Sequence, residues 1–250
     1  MADGTQLLDA TYRAESRHFW FHGLRRFSDP LIAHAVNGLE SPLILDCGCG
    51  TGAVMRRLSR WGRPVGFDIT RGGMGYARAY GQSRLAQASI VEIPFADGTF
   101  DLVTTFDVLS CLTDADRARA LREIFRVLKP GRHLLLNTAA FPSLSGTHAV
   151  FGQEVHRATR RELREALDSA GFEVTRLTYT NLGIFPVMAA VRFTQNLLGL
   201  SSPEESGIDI TVPPRPLNAM LTGVLTLESL ALRHVDMPIG SSLLGLARKA

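Results

Sequence analysis

Over the first forty residues the apolar positions recur at helical spacing. Phe19, Trp20, Leu24 and Phe27 mark a helical stretch that runs from Tyr12 through Phe21 into Gly23–Phe27. Pro30 then opens a second short helix, Leu31 to Asn37, ended by Gly38. From position 43 the rhythm changes to short apolar runs alternating with helical periodicity. Strands are predicted at Leu43–Asp46, Pro64–Asp68, Arg84–Ser89 (the weakest), Phe100–Phe106, His133–Thr138 and Phe172–Tyr179. Helices are predicted between them: Ala53 to about Arg60, Gly75–Tyr80, and one from Asp114 whose buried stripe is Leu121, Ile124, Phe125 and Leu128. Lys129-Pro130-Gly131 stops that helix, and Lys129 is expected to satisfy its carboxyl end. A further helix carries Leu163 and Leu167, is capped by Thr159 with Glu162 three residues on, and ends at Gly171.

Strands alternating with helices imply an α/β, doubly wound and mostly parallel sheet covered on both faces. The ligand of such a fold sits at the carboxyl ends of the strands. Residues 182–238 break the rhythm. They hold two apolar helical stretches, Ile184–Leu200 and Leu217–Leu232, separated by the proline- and acid-containing segment Ser201–Pro216. Ser241–Ala247 then reads as a seventh strand, so a mostly helical insertion stands between the last two strands of the sheet. The expected division is a helical segment over 1–40, a core over 41–181, the insertion over 182–238 and a final core strand within 239–250.

Composition adds little beyond an ordinary globular chain: 45% hydrophobic, 20% charged, net charge +3. Lysine occurs only at Lys129 and Lys249, and the arginines are scattered through predicted helices, which argues against a nucleic-acid partner. Three cysteines, Cys47, Cys49 and Cys111, make no disulfide framework, and the single residue between the first two suits neither a zinc knuckle nor a redox pair. No metal site is expected. Acidic residues at Asp3, Asp9 and Glu15 leave no leader pattern. The longest charge-free stretch, Leu177–Val191, contains Pro186 and is too short to span a bilayer, so a cytoplasmic location is expected.

The chemistry centres on Gly48-Cys-Gly-Thr-Gly52, where missing side chains let backbone approach a ligand at a helix start. Asp68 closes the second strand twenty positions after Gly48 and can accept both hydroxyl hydrogens of an adenosine ribose. These features alone also fit an NAD-dependent oxidoreductase. Two details favour another ligand. Only Thr51 separates the last two glycines, and Asp46, just before the loop, would repel a pyrophosphate but suit an ammonium group. Asp46 could equally cap the following helix, and Asp107 could be a cap or a solvated carboxylate.

Leu43-Ile-Leu-Asp-Cys-Gly-Cys-Gly-Thr-Gly52 resembles the first motif of class I S-adenosylmethionine (SAM)-dependent methyltransferases. Val65–Asp68, Ile93–Val103, Asp107–Leu109 and Arg126–Gly131 are similar to the later motifs, in order. The aromatic stretch His18–Phe21, the segment Pro213–Asn218 and the closing Ala-Arg-Lys resemble the bacterial small-molecule group of the UbiE type. The resemblance implies a Rossmann-like methyltransferase fold with SAM as cofactor and an amino-terminal lid. It implies that Asp46, Gly48, Cys49, Gly50 and Gly52 hold the methionine part and that Asp68 holds the ribose, with Ile69 on the adenine. Ser89 stands where the family usually has an aspartate for the adenine amino group, next to Ile90, and Phe106 and Asp107 line the end of the fourth strand. Cys111 replaces a common histidine.

Methyl transfer needs a general base only when the acceptor carries a proton to be removed. Candidate bases are His18, His148 and His156; Trp20, Phe21 and Cys111 are candidate substrate contacts, with structural roles as the alternative. The nearly uncharged insertion suggests an apolar wall for a bulky small molecule, the alternative being core or a homodimer surface. The fold can also host SAM-binding cyclases or rearrangement catalysts.

Overall fold

The computed structural model of the chain describes residues 4–140, 156–186 and 210–250. Its centre is a seven-stranded sheet in the order β3-β2-β1-β4-β5-β7-β6. The strands are β1 (Leu43–Cys47), β2 (Arg63–Asp68), β3 (Leu85–Gln87), β4 (Phe100–Phe106), β5 (Leu128–Ala139), β6 (Phe172–Thr180) and β7 (Ser242–Lys249). The pairs from β3 across to β5 are parallel, and β7 runs antiparallel to both β5 and β6. β1 and β4 are apolar runs buried on both faces, with Ile44, Leu45, Leu102 and Val103 fully enclosed. The order reverses between them, since the chain winds outward from β1 through β2 and from β4 through β5. The crevice beyond the carboxyl ends of β1 and β4 is therefore the topological switch point.

Helices cover the sheet: α1 (Gly4–Ala14), α2 (Phe19–Ala35), α3 (Ala53–Leu58), α4 (Arg71–Ala79), α5 (Asp114–Val127), α6 (Arg160–Ser169) and α7 (Arg215–Ala231). Local signals placed several correctly. Thr159 and Glu162 form the expected capping box, each side chain accepting the other's backbone N–H at 3.2 and 2.8 Å. Other boundaries moved. Pro30 does not open a helix but lies inside α2, whose buried face Phe27, Leu31, Ile32 and Ala35 runs straight through it. That packing outweighs the one backbone donor lost at the proline.

α4 starts at Arg71, not Gly75, taking in a glycine pair that reads locally as loop. A Cβ on Gly73 would stand 2.3 Å from the Gly50 carbonyl, so glycine is what brings the first turn of α4 against the loop after β1. β5 begins at Leu128, and Lys129-Pro130-Gly131 is a bulge within it: Phe100 pairs with Leu128 but Leu102 with His133.

The insertion is described only over 182–186 and 210–238, so most of the expected Ile184–Leu200 helix lies outside the described residues. Its second helix is α7, which packs along α2, with Leu225 against Gly23. Asn218 joins the two helices by accepting the Phe19 N–H (3.0 Å) and donating to the Arg17 carbonyl (2.8 Å). Glu228, buried in α7, accepts the N–H groups of Leu182 and Gly183 at 3.1 and 3.0 Å. Among the described residues no helix is long and apolar enough to cross a membrane.

Lys129, expected to serve the end of α5, instead pairs with Asp101 at 2.8 Å. Lys249, at the other end of the chain, takes that role: its ammonium donates to the carbonyls of Phe125, Arg126 and Leu128 at 2.6, 3.4 and 2.8 Å. Lys249→Ala should therefore lower the unfolding free energy by about 1–3 kcal/mol. Urea unfolding checks this, and an unchanged midpoint would show the contact to be idle.

Candidate functional site

β1 ends by carrying Asp46 into the switch point, where it is 2% exposed. Parallel register sets Thr104 of β4 beside it, and the Thr104 hydroxyl donates to Asp46 Oδ1 at 2.7 Å. Oδ2 is buried and has no hydrogen-bond partner among the described residues. Loss of hydration dominates here and pushes the Asp46 carboxyl up to about 7, with Asp68 adding to the rise and Thr104 and Arg57 opposing it. Arg57 is itself buried and is held by Asp29 at 3.2 Å.

The chain then turns sharply. The Gly48 and Cys49 N–H groups both donate to the Phe67 carbonyl at 2.9 Å, which pins the turn to the end of β2. Gly48 has φ +75, and a Cβ there would meet Val108 at 2.3 Å, so no other residue fits. The Cys49 side chain turns inward, its Cβ towards Gly66, and burial pushes its thiol up. Asp68 closes the construction from the other strand. Its Oδ2 accepts the Gly50 N–H at 2.9 Å and its Oδ1 the Thr70 N–H at 2.8 Å. An ionised carboxylate offers about four acceptor positions, so two remain for other donors. Ile69, next to it, is a large apolar side chain left 69% exposed.

On the β4 side, Phe106 is half-buried and Asp107 adopts φ +61, an unfavourable region for a residue with a side chain. Asn137 of β5 holds it there, accepting the Asp107 N–H and donating to Asp107 Oδ1, both at 2.8 Å. The Ser89 hydroxyl accepts the Val91 N–H at 3.4 Å, and Ile90 is buried. Cys111, in the short turn after β4, directs its sulfur at the Asp107 carbonyl (3.5 Å).

Of the histidines, His156 donates its backbone N–H to the Ser110 carbonyl (2.9 Å), and its ring places Nδ1 3.7 Å from Asp114 Oδ1. Its Nε2 is buried without a hydrogen bond among the described residues. His18 is the N-cap of α2, Nδ1 accepting the Trp20 N–H at 3.2 Å, and burial together with His22 holds it below the usual histidine range. Trp20 and Phe21 meet edge to face at 5.0 Å in the first turn of α2. His148 lies outside the described residues.

The structure thus brings Asp46, the glycine turn, Asp68, Phe106 and Asp107 to one switch point. The sequence reading missed Thr104, Asn137, Glu15 and the Thr51 side chain. Thr104 was recoverable in principle, as the β4 residue in register with Asp46. Glu15 carried no signal, since nothing in its neighbourhood announces contact with a loop 36 positions away; its carboxylate accepts from the Thr51 hydroxyl at 2.7 Å.

Comparison with known proteins points the same way. A family model described as a methyltransferase domain matches residues 45–136. The chain is 31% identical to the malonyl-[acyl-carrier protein] O-methyltransferase of Enterobacter lignolyticus over 177 residues, 66% of this chain and 67% of that one. It is 36% identical to the ubiquinone/menaquinone biosynthesis C-methyltransferase UbiE of Vibrio parahaemolyticus over 119 residues, 43% and 45% of the two chains. The chain spans about half the length of the first curated relatives it matches. Among solved structures, the [4+2]-cyclase SpnF shares the fold, with a TM-score of 0.55, 22% identity, and 88% of this chain and 78% of that one covered.

The buried carboxyl has a measurable consequence for the ligand-free protein. Its folded-state value lies above its ordinary 3.8, so the neutral acid is the form that folding favours. Its contribution is complete below about pH 4 and is lost as pH rises through 7. The stability advantage of Asp46→Asn over the native chain should grow by about 2–3 kcal/mol between pH 5 and pH 8. Denaturant titrations at the two pH values test this, and a difference independent of pH would show that Asp46 is not a strained acid.

Proposed function

Because the chain belongs to the class I SAM-dependent methyltransferases, we propose that it transfers a methyl group from SAM to a bulky, rather apolar small molecule, with oxygen the favoured acceptor. The observation that carries this reading is Asp46: a buried carboxylate oxygen without a partner, under a glycine turn, beside a second carboxylate. Such an acceptor fits the ammonium of a methionine moiety. When bound, SAM supplies a methyl carbon already made electrophilic by its sulfonium, so proximity and orientation provide much of the acceleration.

The residues divide the remaining work. Asp46, with the backbone of Gly48, Cys49, Gly50 and Gly52, would hold the amino-acid end. Asp68 keeps two acceptor positions for the ribose hydroxyls, and exposed Ile69 offers an apolar surface to the adenine. Ser89 and Ile90 are assigned to the adenine end, and Phe106 and Asp107 to the methionine side. The Ser89 hydroxyl is an acceptor for Val91 and retains its own hydrogen to donate.

A hydroxyl acceptor must lose its proton, and His156 is the base we favour among the three candidates. Asp114 beside Nδ1 favours the tautomer with hydrogen there, which leaves Nε2 to accept a proton. His18 is less suited, because its Nδ1 is committed to capping α2. Trp20, Phe21 and Cys111 remain the proposed substrate contacts. Support for an apolar substrate comes from Leu217 and Met220, exposed on the first turns of α7 where Asn218 meets the aromatic start of α2.

Calorimetry should show SAM binding with a dissociation constant in the micromolar range, and Asp68→Ala should weaken it by about ten- to a hundredfold, from the loss of hydrogen bonds to a charged acceptor. A cation bound beside Asp46 should also expel its proton near pH 6.5. The apparent enthalpy should then depend on the buffer's own ionisation heat, and Asp46→Asn should abolish that dependence. No heat with either SAM or its demethylated product would overturn the proposal. Incubation with methyl-labelled SAM and apolar hydroxylated acceptors then reads out the acceptor atom.

A further inference from the structure

We propose that Glu15 is a positioning residue for the cofactor turn, fixing Thr51 through its side chain and clamping α1 onto the loop; this rests on the SAM-binding reading above. Glu15 follows the end of α1, and its residue is only 4% exposed. A carboxylate so enclosed is costly unless its oxygens are satisfied, and here each has a donor. Oε2 accepts from the Thr51 hydroxyl at 2.7 Å and Oε1 from the Tyr80 hydroxyl at 3.1 Å. The Glu15 main-chain carbonyl accepts from Arg25 at 3.1 Å. Four segments therefore meet at one residue: the end of α1, the glycine turn, the end of α4 and α2.

The charges around it are Arg25 of α2 and Arg56 of α3, with Tyr80 beyond α4. Burial is the larger influence and raises the Glu15 pKa, while both hydroxyls and both arginines oppose it by favouring the carboxylate. The rest of α1 lies on the same surface. Tyr12 stacks on Tyr76 at 4.2 Å, Asp9 accepts from the Tyr76 hydroxyl at 2.5 Å, and Leu8 stands where a Cβ on Gly50 would meet it at 3.3 Å.

Thr51 is the turn residue between two glycines with positive φ. Glycines cannot fix their own backbone, so the conformation of Gly50-Thr51-Gly52 depends on what Thr51 holds. Gly50 in turn donates to Asp68. Glu15, Thr51, Gly50 and Asp68 thus form one continuous line from α1 to the proposed ribose acceptor. A cofactor that needs this turn in place should tighten α1, and α1 in place should tighten the cofactor.

The test uses the full chain and SAM. Thr51→Val keeps the shape of the side chain but removes the hydroxyl, and Thr51→Ser keeps the hydroxyl. Thr51→Val should raise the SAM dissociation constant about five- to twentyfold, while Thr51→Ser should stay within about twofold of the native chain. Glu15→Ala should weaken binding by a similar factor, and the double variant should be no weaker than either single one. Trypsin cleavage at Arg13 and Arg17 should slow when the demethylated product of SAM is added to the native chain, and should not slow with Thr51→Val. Native affinity for Thr51→Val, or an effect that Thr51→Ser fails to restore, overturns the inference. So do multiplicative effects in the double variant. Should Glu15→Ala not fold, the two Thr51 variants decide alone. If the native chain binds no SAM, the cofactor reading fails instead, which keeps the two failures distinct.

Discussion

The carbonyl of Phe67 receives two N–H groups, from Gly48 and Cys49, and much of the site follows from that pair of hydrogen bonds. They force the chain to fold back over the end of β2 directly on leaving β1. Only a glycine at 48 can take the required conformation, and Val108 closes the space a side chain would need. The turn seals Asp46 beneath it, which strips the carboxylate of water and leaves Oδ2 unpartnered. It also carries Gly50 across to Asp68, one residue beyond Phe67, so that the second carboxylate is oriented by the same turn.

What could be read from the sequence was what depends on near neighbours. β1 and β4 are doubly buried apolar runs, and they appear where expected, to within a residue. The Thr159 cap is complete within four residues, so its chemistry is local. The failures have a common cause, because each involves a partner far along the chain. Pro30 looks like a helix start until the buried face of α2 is seen to pass through it. The glycines before residue 75 look like loop until Gly73 is found against Gly50. Lys129 stands next to the carbonyls of α5, yet Lys249 reaches them from over a hundred positions away. The same holds for the site. The acceptors Asp46 and Asp68 lie in recognisable motifs, whereas Glu15 and Asn137 act on those motifs from other segments.

Two features that the sequence presents separately are one in the structure. The aromatic start of α2 and the proline-rich entry to α7 meet at Asn218, which bonds to the backbone on either side of the break before Phe19. The second insertion helix is therefore part of what orients the amino-terminal segment. Its buried side, with Leu225 and Glu228, makes that attachment, and its other side keeps Leu227 and Leu230 exposed. The attachment sets the start of α2, with His18, Trp20 and Phe21, beside the exposed Leu217 and Met220 of α7.

The glycine turn also bears on which nucleotide-like ligand the site suits, a point the distance from Gly48 to Asp68 left open. Turns that bind a pyrophosphate do so with backbone N–H groups aimed at the anion. Here Gly48 and Cys49 spend theirs on Phe67, and Gly50 spends its own on Asp68. Three donors of the turn are thus directed at acceptors of the chain itself. Two carboxylates stand beside it, Asp68 near enough to raise the proton affinity of Asp46. Bringing a doubly charged pyrophosphate there would add a third negative group without offering it those donors. A cationic ammonium and sulfonium would instead meet an acceptor lacking a partner and relieve the repulsion between the two acids. The fold alone does not decide this, because it is shared with a cyclase. The sign of the charge beneath the turn, and the direction in which its N–H groups point, are what favour SAM.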